Sequence, residues 1–234
     1  MCGRYTLTVS PEMLAYSFDI SLDGLNLVPR YNIAPSQEVL TVVNRGEGNR
    51  AQFMRWGLVP FWARDIKIGY KMINARAESV PDNNAFKHAF RRRRCLIPAD
   101  SFYEWQGTGQ NKTPLRIMLK SEAAFAFAGI WETWQDKADP AADSLKSCAI
   151  ITTVPNALVS LIHDRMPVIL PQECYADWLD PANEDTGSLR ELLLPCDPEL
   201  LKTYAVSTLV NSPRNQGPEL VAPSPGPLAL GQSG

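Results

Sequence analysis

The stretch CLIPADSFYEWQGTGQNKTPLRIMLKSEAAFAFAGIW, residues 95–131, decides the fold. Four short runs rich in apolar and aromatic residues follow one another in it: Cys95–Pro98, Ser101–Gln106, Leu115–Leu119 and Phe125–Trp131. Polar turns separate them, GTGQNKT being the clearest. Strands this short, joined this tightly, pair antiparallel, because a parallel neighbour needs a crossover of a dozen or more residues. Working outward, Glu38–Val43 and Ala51–Trp56 flank NRGEGN as a hairpin, and Cys148–Thr153 and Tyr204–Leu209 read as further strands. Helical signals are short. Pro11–Asp19 has Ser10 as its N-cap and Pro11 at its first position. Asn84–Arg93, Asn156–Ile162, Gln172–Leu179 and Ser188–Leu194 are the others. The reading is an α+β fold: a single domain over residues 1–222 with a curved, mainly antiparallel, barrel-like sheet and short peripheral helices. Gln135–Ser147 is an exposed excursion, and the Pro/Gly/Ser-rich residues 223–234 form a disordered tail.

The 234 residues, 45% of them apolar, suit a soluble domain with a real core. No stretch reaches the roughly 18 apolar residues of a membrane span. The opening MCGRYTLTVS turns polar at once, unlike a signal peptide, so the expected location is the cytoplasm, at the nucleoid in a bacterium. Five cysteines, an odd number with none at CxxC spacing, argue against a disulfide scaffold or a zinc knuckle. Neither a metal nor a cofactor is expected. The net charge of −2 gives no sign of a polyanion partner. Its distribution does: Arg91–Arg94 are consecutive, the region from Arg45 to Arg94 is basic, and acidic residues gather from Asp136 to Glu191, which permits one basic face.

Four cysteines lie in or beside apolar runs and fill core space. Cys2 is different. Its small side chain permits removal of Met1, which leaves an exposed residue bearing an α-amine beside a thiol. With pKa values of ~7.7–8.0 and ~8.5, both groups are partly deprotonated near neutrality. An aldehyde reacts with such a 1,2-aminothiol in two steps: the amine forms an imine, and the thiolate closes a five-membered thiazolidine intramolecularly. The plainer alternative is a small residue at a frayed terminus. Glu104, in SFYEW, shares a strand face with Phe102 and points toward core or cleft, where a carboxylate must be paired or functional. His163, in IHDRMP, lies in a loop of the kind that carries catalytic groups, or else caps a helix. Asn74 stands beside apolar residues and has a turn or cap as its plain reading. Arg4, Arg76 and Arg165 each lie within two residues of Cys2, Asn74 and His163, where each could hold a phosphate. WGLVPFW, residues 56–62, sets aromatics in a loop, suited to base stacking or to core packing.

Seven motifs gather these residues: MCGRYTL at the start, PRYNIAPSQ (29–37), RWGLVPFWA (55–63), INARAES (73–79), RRCLIPADSFYEW (93–105), IHDRMPVIL (162–170) and NSPRNQGPEL (211–220). In this order and over residues 2 to 222 the chain resembles the SOS-response-associated peptidase (SRAP) family. The resemblance implies a sensor of abasic sites in single-stranded DNA; a monomer without membrane attachment is expected. It implies a covalent thiazolidine through Cys2 after removal of Met1, by the protein itself or otherwise, with an associated peptidase and lyase activity. Carried over residue by residue, Asn74 orients the α-amine, Glu104 moves protons and His163 assists opening of the abasic sugar. Arg76 and Arg165 grip flanking phosphates, Arg4 and Asn32 line the groove, and Pro35 and Trp62 wedge or stack against bases. Three other readings compete: an N-terminal-nucleophile amidohydrolase using Cys2, a nucleic-acid-binding module in which Cys2 is inert, and a protease acting on other proteins.

Overall fold

In a computed structural model, which describes residues 2–109, 112–139 and 141–224, the strands in chain order are β1 (Tyr5–Leu7), β2 (Arg30–Ile33), β3 (Glu38–Asn44), β4 (Asn49–Trp56), β5 (Asn74–Arg76), β6 (Arg94–Ala99), β7 (Ser101–Gln106), β8 (Thr113–Leu119), β9 (Phe125–Trp134), β10 (Leu145–Thr153), β11 (Met166–Pro167), β12 (Ile169–Leu170) and β13 (Leu201–Ala205). The helices are short: α1 (Pro11–Phe18), α2 (Lys87–Arg92), α3 (Tyr175–Leu179) and α4 (Thr186–Glu191). Ser10 caps α1 by accepting the Met13 N–H, with Pro11 in the first turn. None of the described helices is long and apolar enough to cross a membrane.

The β3–β4 hairpin runs from Glu38 opposite Arg55 to Asn44 opposite Asn49. β3 then pairs with β6, β6 with β9 and β9 with β10, all antiparallel. β10 returns to β4 in parallel and closes a five-stranded mixed barrel. Closure removes the exposed strand edges that an open sheet would carry. The apolar runs of the sequence bury both faces of the barrel wall: Leu96, Ile97, Phe127, Ala149 and Ile150 are fully buried, and consecutive residues point to opposite sides. A second, antiparallel sheet has the order β13-β8-β7-β1-β2. It packs on the barrel through Tyr5 and Phe102, whose rings meet Phe127 edge-on at 5.6 and 6.1 Å.

The α+β class, the single barrel-like domain and the predominance of antiparallel pairing follow the sequence reading. The division into two sheets and the parallel partners of β10 do not, because, β7–β8 apart, the pairings that set them join strands distant in the chain. Several boundaries also move. The late strand is Leu201–Ala205, with Thr208–Asn211 a 3-10 turn, rather than a strand over Tyr204–Leu209. Of Asn84–Arg93 only Lys87–Arg92 is α-helical. Asn156–Ile162 reduces to a turn at Val159–Leu161, started by Asn156 Oδ1 accepting the Val159 N–H at 2.9 Å. β9 extends to Trp134 and β10 begins at Leu145, so the excursion between them is shorter than Gln135–Ser147. Pro223 bridges to Val206 and the Ser224 N–H donates to Ala205, so these two residues of the expected tail are held; 225–234 lie outside the described residues.

The four consecutive arginines do not stand open together: Arg91 and Arg92 are exposed, Arg93 is half-buried and Arg94 is buried. Arg94 is buried and donates to the carbonyls of Phe90, Arg91, Trp178, Asp180 and Asn183. Arg93 pairs with buried Glu132, and Arg91 and Arg92 share Glu184. A run of like charge is tolerable here because every guanidinium of the four reaches an acceptor, Arg91 and Arg92 the same one.

Candidate active site

β1 and β7 pair with Tyr5 opposite Phe102 and Thr6 opposite Ser101. The Tyr103 N–H donates to the Arg4 carbonyl at 3.0 Å, so the ladder continues toward the N-terminus. In that register Gly3 falls opposite Glu104, and Cys2 is brought beside the carboxyl group. From the other side β10 positions Asn74, which pairs with Ile150 in parallel. Asn74 Nδ2 donates to the Cys2 carbonyl at 2.9 Å, while its Oδ1, shielded from solvent, has no hydrogen-bond partner among the described residues. The end of β10 serves both flanks of the site. Thr152 sits opposite Arg76 on β5 and opposite Pro167 on β11, the strand that follows the His163 loop.

Cys2 is fully buried, contrary to the expected exposed terminus. Burial raises its thiol pKa, and the charge of Glu104 raises it further. The thiolate is therefore not preformed, and attack by sulfur requires a base. Glu104 is suited to that role. It is 3% exposed, and burial pushes its carboxyl up to about 7; Asp164 adds to the rise and Lys112 opposes it. A carboxyl poised near neutrality can both accept and return a proton. His163 Nδ1 accepts the Arg165 N–H at 3.0 Å, and burial lowers the imidazole pKa. The neutral ring then carries its proton on Nε2. Asp164 Oδ1 lies 2.7 Å from Nδ1, so an Nδ1–H would donate to it; at 87% exposure solvent satisfies this carboxylate when Nδ1 accepts instead.

Gln106 was not foreseen. It lies two residues beyond Glu104, and its amide donates to the Leu161 carbonyl at 3.1 Å. That bond ties the strand of Glu104 to the loop of His163. The period-two alternation of β7 was the available signal, since residues 104 and 106 share a face.

The expected DNA contacts separate into three kinds. Arg76 is exposed and its side chain makes no hydrogen bond or ion pair among the described residues, Trp62 is 42% exposed, and half-buried Pro35 precedes Ser36, whose φ is 73°. Arg165 is already engaged. Glu78 fills its fork at 2.6 and 3.0 Å, and Arg165 also donates to the Thr152 carbonyl at 2.6 Å. A phosphate could reach this guanidinium only by displacing a carboxylate. Asn32 is fully buried, so it does not line a groove; its amide donates to Val210, Ser212 and Asn215. Arg4 donates to Asn32 Oδ1 and the Val210 carbonyl, both at 2.7 Å, and stacks over Trp105. Arg4 and Asn32 thus pin the 210–215 segment onto the sheet. Trp56, the other tryptophan of WGLVPFW, is wholly core.

A closed mixed barrel flanked by an antiparallel sheet, with a buried cysteine at the second position facing a carboxyl and an asparagine, differs from the stacked sheets between helices of N-terminal-nucleophile amidohydrolases. The chain belongs to the SOS response associated peptidase (SRAP) family, whose model matches residues 1–213. Abasic site processing protein YoqW of Bacillus subtilis (strain 168) is 49% identical over 224 residues, spanning 94% of this chain and 99% of that one. Abasic site processing protein HMCES of Xenopus tropicalis is 32% identical, spanning 72% of this chain and 56% of its own. A crystal structure of a protein from Bacteroides thetaiotaomicron superposes with a TM-score of 0.86 at 27% identity, covering 95% of this chain and all of that one.

Proposed function

We propose that this protein captures abasic sites in single-stranded DNA as a thiazolidine on Cys2, after loss of Met1. The observation that carries the reading is the Asn74 amide. Its Nδ2 holds the Cys2 carbonyl while its Oδ1 lacks a donor. Removal of Met1 creates an α-amine within the same residue, and Oδ1 is the acceptor for it. Neutral His163 donates from Nε2 to the ring oxygen of the abasic sugar and favours the open aldehyde. The α-amine adds to the aldehyde carbon, and loss of one water gives the imine. The Cys2 thiol then attacks the imine carbon, its proton passes to Glu104, and the imine nitrogen takes up the electron pair and a proton. No atom is lost in closing the ring, so imine and thiazolidine have the same mass. Glu104 returns its proton in the reverse direction. Removal of Met1 by the protein itself would be the peptidase activity, and β-elimination from an imine that fails to close would be the lyase activity.

Raised thiol pKa and burial fit this order of steps. The amine reacts first, and the sulfur is released as a nucleophile only when an imine stands beside it and Glu104. Exposed Arg76 holds a flanking phosphate and Trp62 stacks against a base. Intact-mass measurement with an abasic oligonucleotide tests the reading. The expected adduct is the protein without Met1 plus the oligonucleotide minus one water, surviving heat without reductant. A protein that keeps Met1 and still forms the adduct would contradict it.

A further inference from the structure

The chain between β4 and β5 is an excursion whose base is tightly tied. The Gly57 N–H donates to Cys148 at 2.8 Å, the Leu58 N–H to Met72 at 3.0 Å, and the Val59 N–H to Ser147 Oγ at 2.8 Å. Trp134 Nε1 donates to the Ala63 carbonyl at 2.8 Å. Gly57 and Gly69 meet backbone to backbone: a Cβ on either would lie 2.7 or 2.6 Å from the other's carbonyl oxygen, and Gly57 has φ of 125°. On this fixed base Phe61, Trp62, Ile66 and Tyr70 stand exposed. Large rings exposed on an anchored segment mark a binding surface.

Tyr70 is 60% exposed, and the Arg55 guanidinium lies 5.6 Å from its ring centroid. The Arg55 side chain makes no hydrogen bond or ion pair among the described residues, and its Nε is shielded from solvent without an acceptor. A shielded, unpaired cationic donor is costly unless an anion satisfies it. Lys71, exposed, adds a second positive charge. Four chain steps separate Tyr70 from Asn74, so their Cα atoms lie at most ~14 Å apart.

We propose that Arg55, Tyr70 and Lys71 form a nucleotide subsite beside the reaction site. The base of an undamaged flanking nucleotide stacks on Tyr70, and its phosphate is held by Arg55 and Lys71. Stacking on a tyrosine accepts any base, which suits a protein that must dock wherever a base has been lost. This inference rests on the capture reading for the identity of its ligand, and its test is separate. Fluorescence anisotropy is measured on single-stranded oligonucleotides with one tetrahydrofuran fixed as a stand-in for the lesion and a second moved stepwise along the strand. Wild type loses affinity about tenfold when the second base-free sugar occupies the subsite position. Tyr70→Ala binds the singly substituted strand about tenfold more weakly and no longer responds at that position, whereas Tyr70→Phe restores the response. Arg55→Gln flattens the slope of log K against log salt by about 0.7. Tyr16→Ala, an exposed tyrosine on α1, serves as the unchanged control. Tyr70→Ala that responds like wild type at every position overturns the subsite. Failure of wild type to crosslink a true abasic strand overturns the capture reading instead and leaves the anisotropy result standing.

Discussion

Arg94 in the barrel wall and Glu104 at the reaction site are both buried ionisable side chains, and the fold treats them in opposite ways. Arg94 is surrounded by five backbone carbonyls that accept from its guanidinium. Asp100, buried nearby in sequence, is likewise saturated by Thr6, both donors of Thr8 and the Val9 N–H. Glu104 is instead held where burial pushes its carboxyl up to about 7, near an Asn74 Oδ1 that lacks a partner. Arg94 and Asp100 are held by acceptors and donors of the scaffold, whereas at the site the Glu104 carboxyl is kept near neutrality and Asn74 Oδ1 lacks a donor. That difference separates scaffold from site more sharply than charge or burial alone.

Substitutions on the two sides should have opposite signs. Glu104→Gln, the largest effect, slows crosslinking by about 10²–10⁴-fold because glutamine cannot exchange a proton. It should also stabilise the fold at high pH. The folded-state pKa of Glu104 lies above the ordinary carboxylate range, so between about pH 4 and 7 the folded protein binds more protons than the unfolded one, and stability falls as pH rises through that window. Glutamine escapes this loss. Urea unfolding at pH 8 should find Glu104→Gln the more stable, with the difference shrinking toward pH 4; a destabilised variant at pH 8 would show that burial does not penalise the Glu104 carboxylate. Arg94→Ala should lower stability by about 3–5 kcal/mol, since its carbonyl acceptors lose their donor, and leave the salt dependence of DNA binding unaltered. An effect under about 1 kcal/mol would show that water replaces the guanidinium. Arg76→Ala, the smallest, should leave unfolding unchanged and flatten the salt slope by about 0.7. An unaltered slope would take Arg76 out of the DNA contacts.

Local signals carried much of this architecture into the sequence. Ser10-Pro11 starts α1, NRGEGN turns β3 into β4, and the alternation in SFYEWQ sets Glu104 on a buried face. What stayed hidden is long-range. Nothing near Cys148–Thr153 announces that this strand runs parallel to both β4 and β5 and so supplies the ladder for Asn74. Burial of Cys2 is equally invisible, because a second residue reads as frayed until the surrounding strands close over it. The arginines misled for the same reason. The acceptors of Arg91–Arg94 are contributed from a distance by α3, Glu132 and Glu184, whereas Arg55 draws no notice in sequence yet its Nε lacks an acceptor in space. Asn32 carries a polar side chain in a matching motif, but three carbonyls from the 210–215 segment claim its amide.

Denaturing gel electrophoresis of Cys2→Ala on an abasic oligonucleotide, with and without borohydride, tests the central claim most directly. Alanine keeps the α-amine and permits loss of Met1 but removes the sulfur. The account predicts that wild type gives a heat-stable adduct in both lanes. Cys2→Ala should give one only where borohydride has reduced the imine, with slow nicking of the strand where it has not. A Cys2→Ala adduct as stable as that of wild type in the absence of borohydride would mean that sulfur does not close the ring.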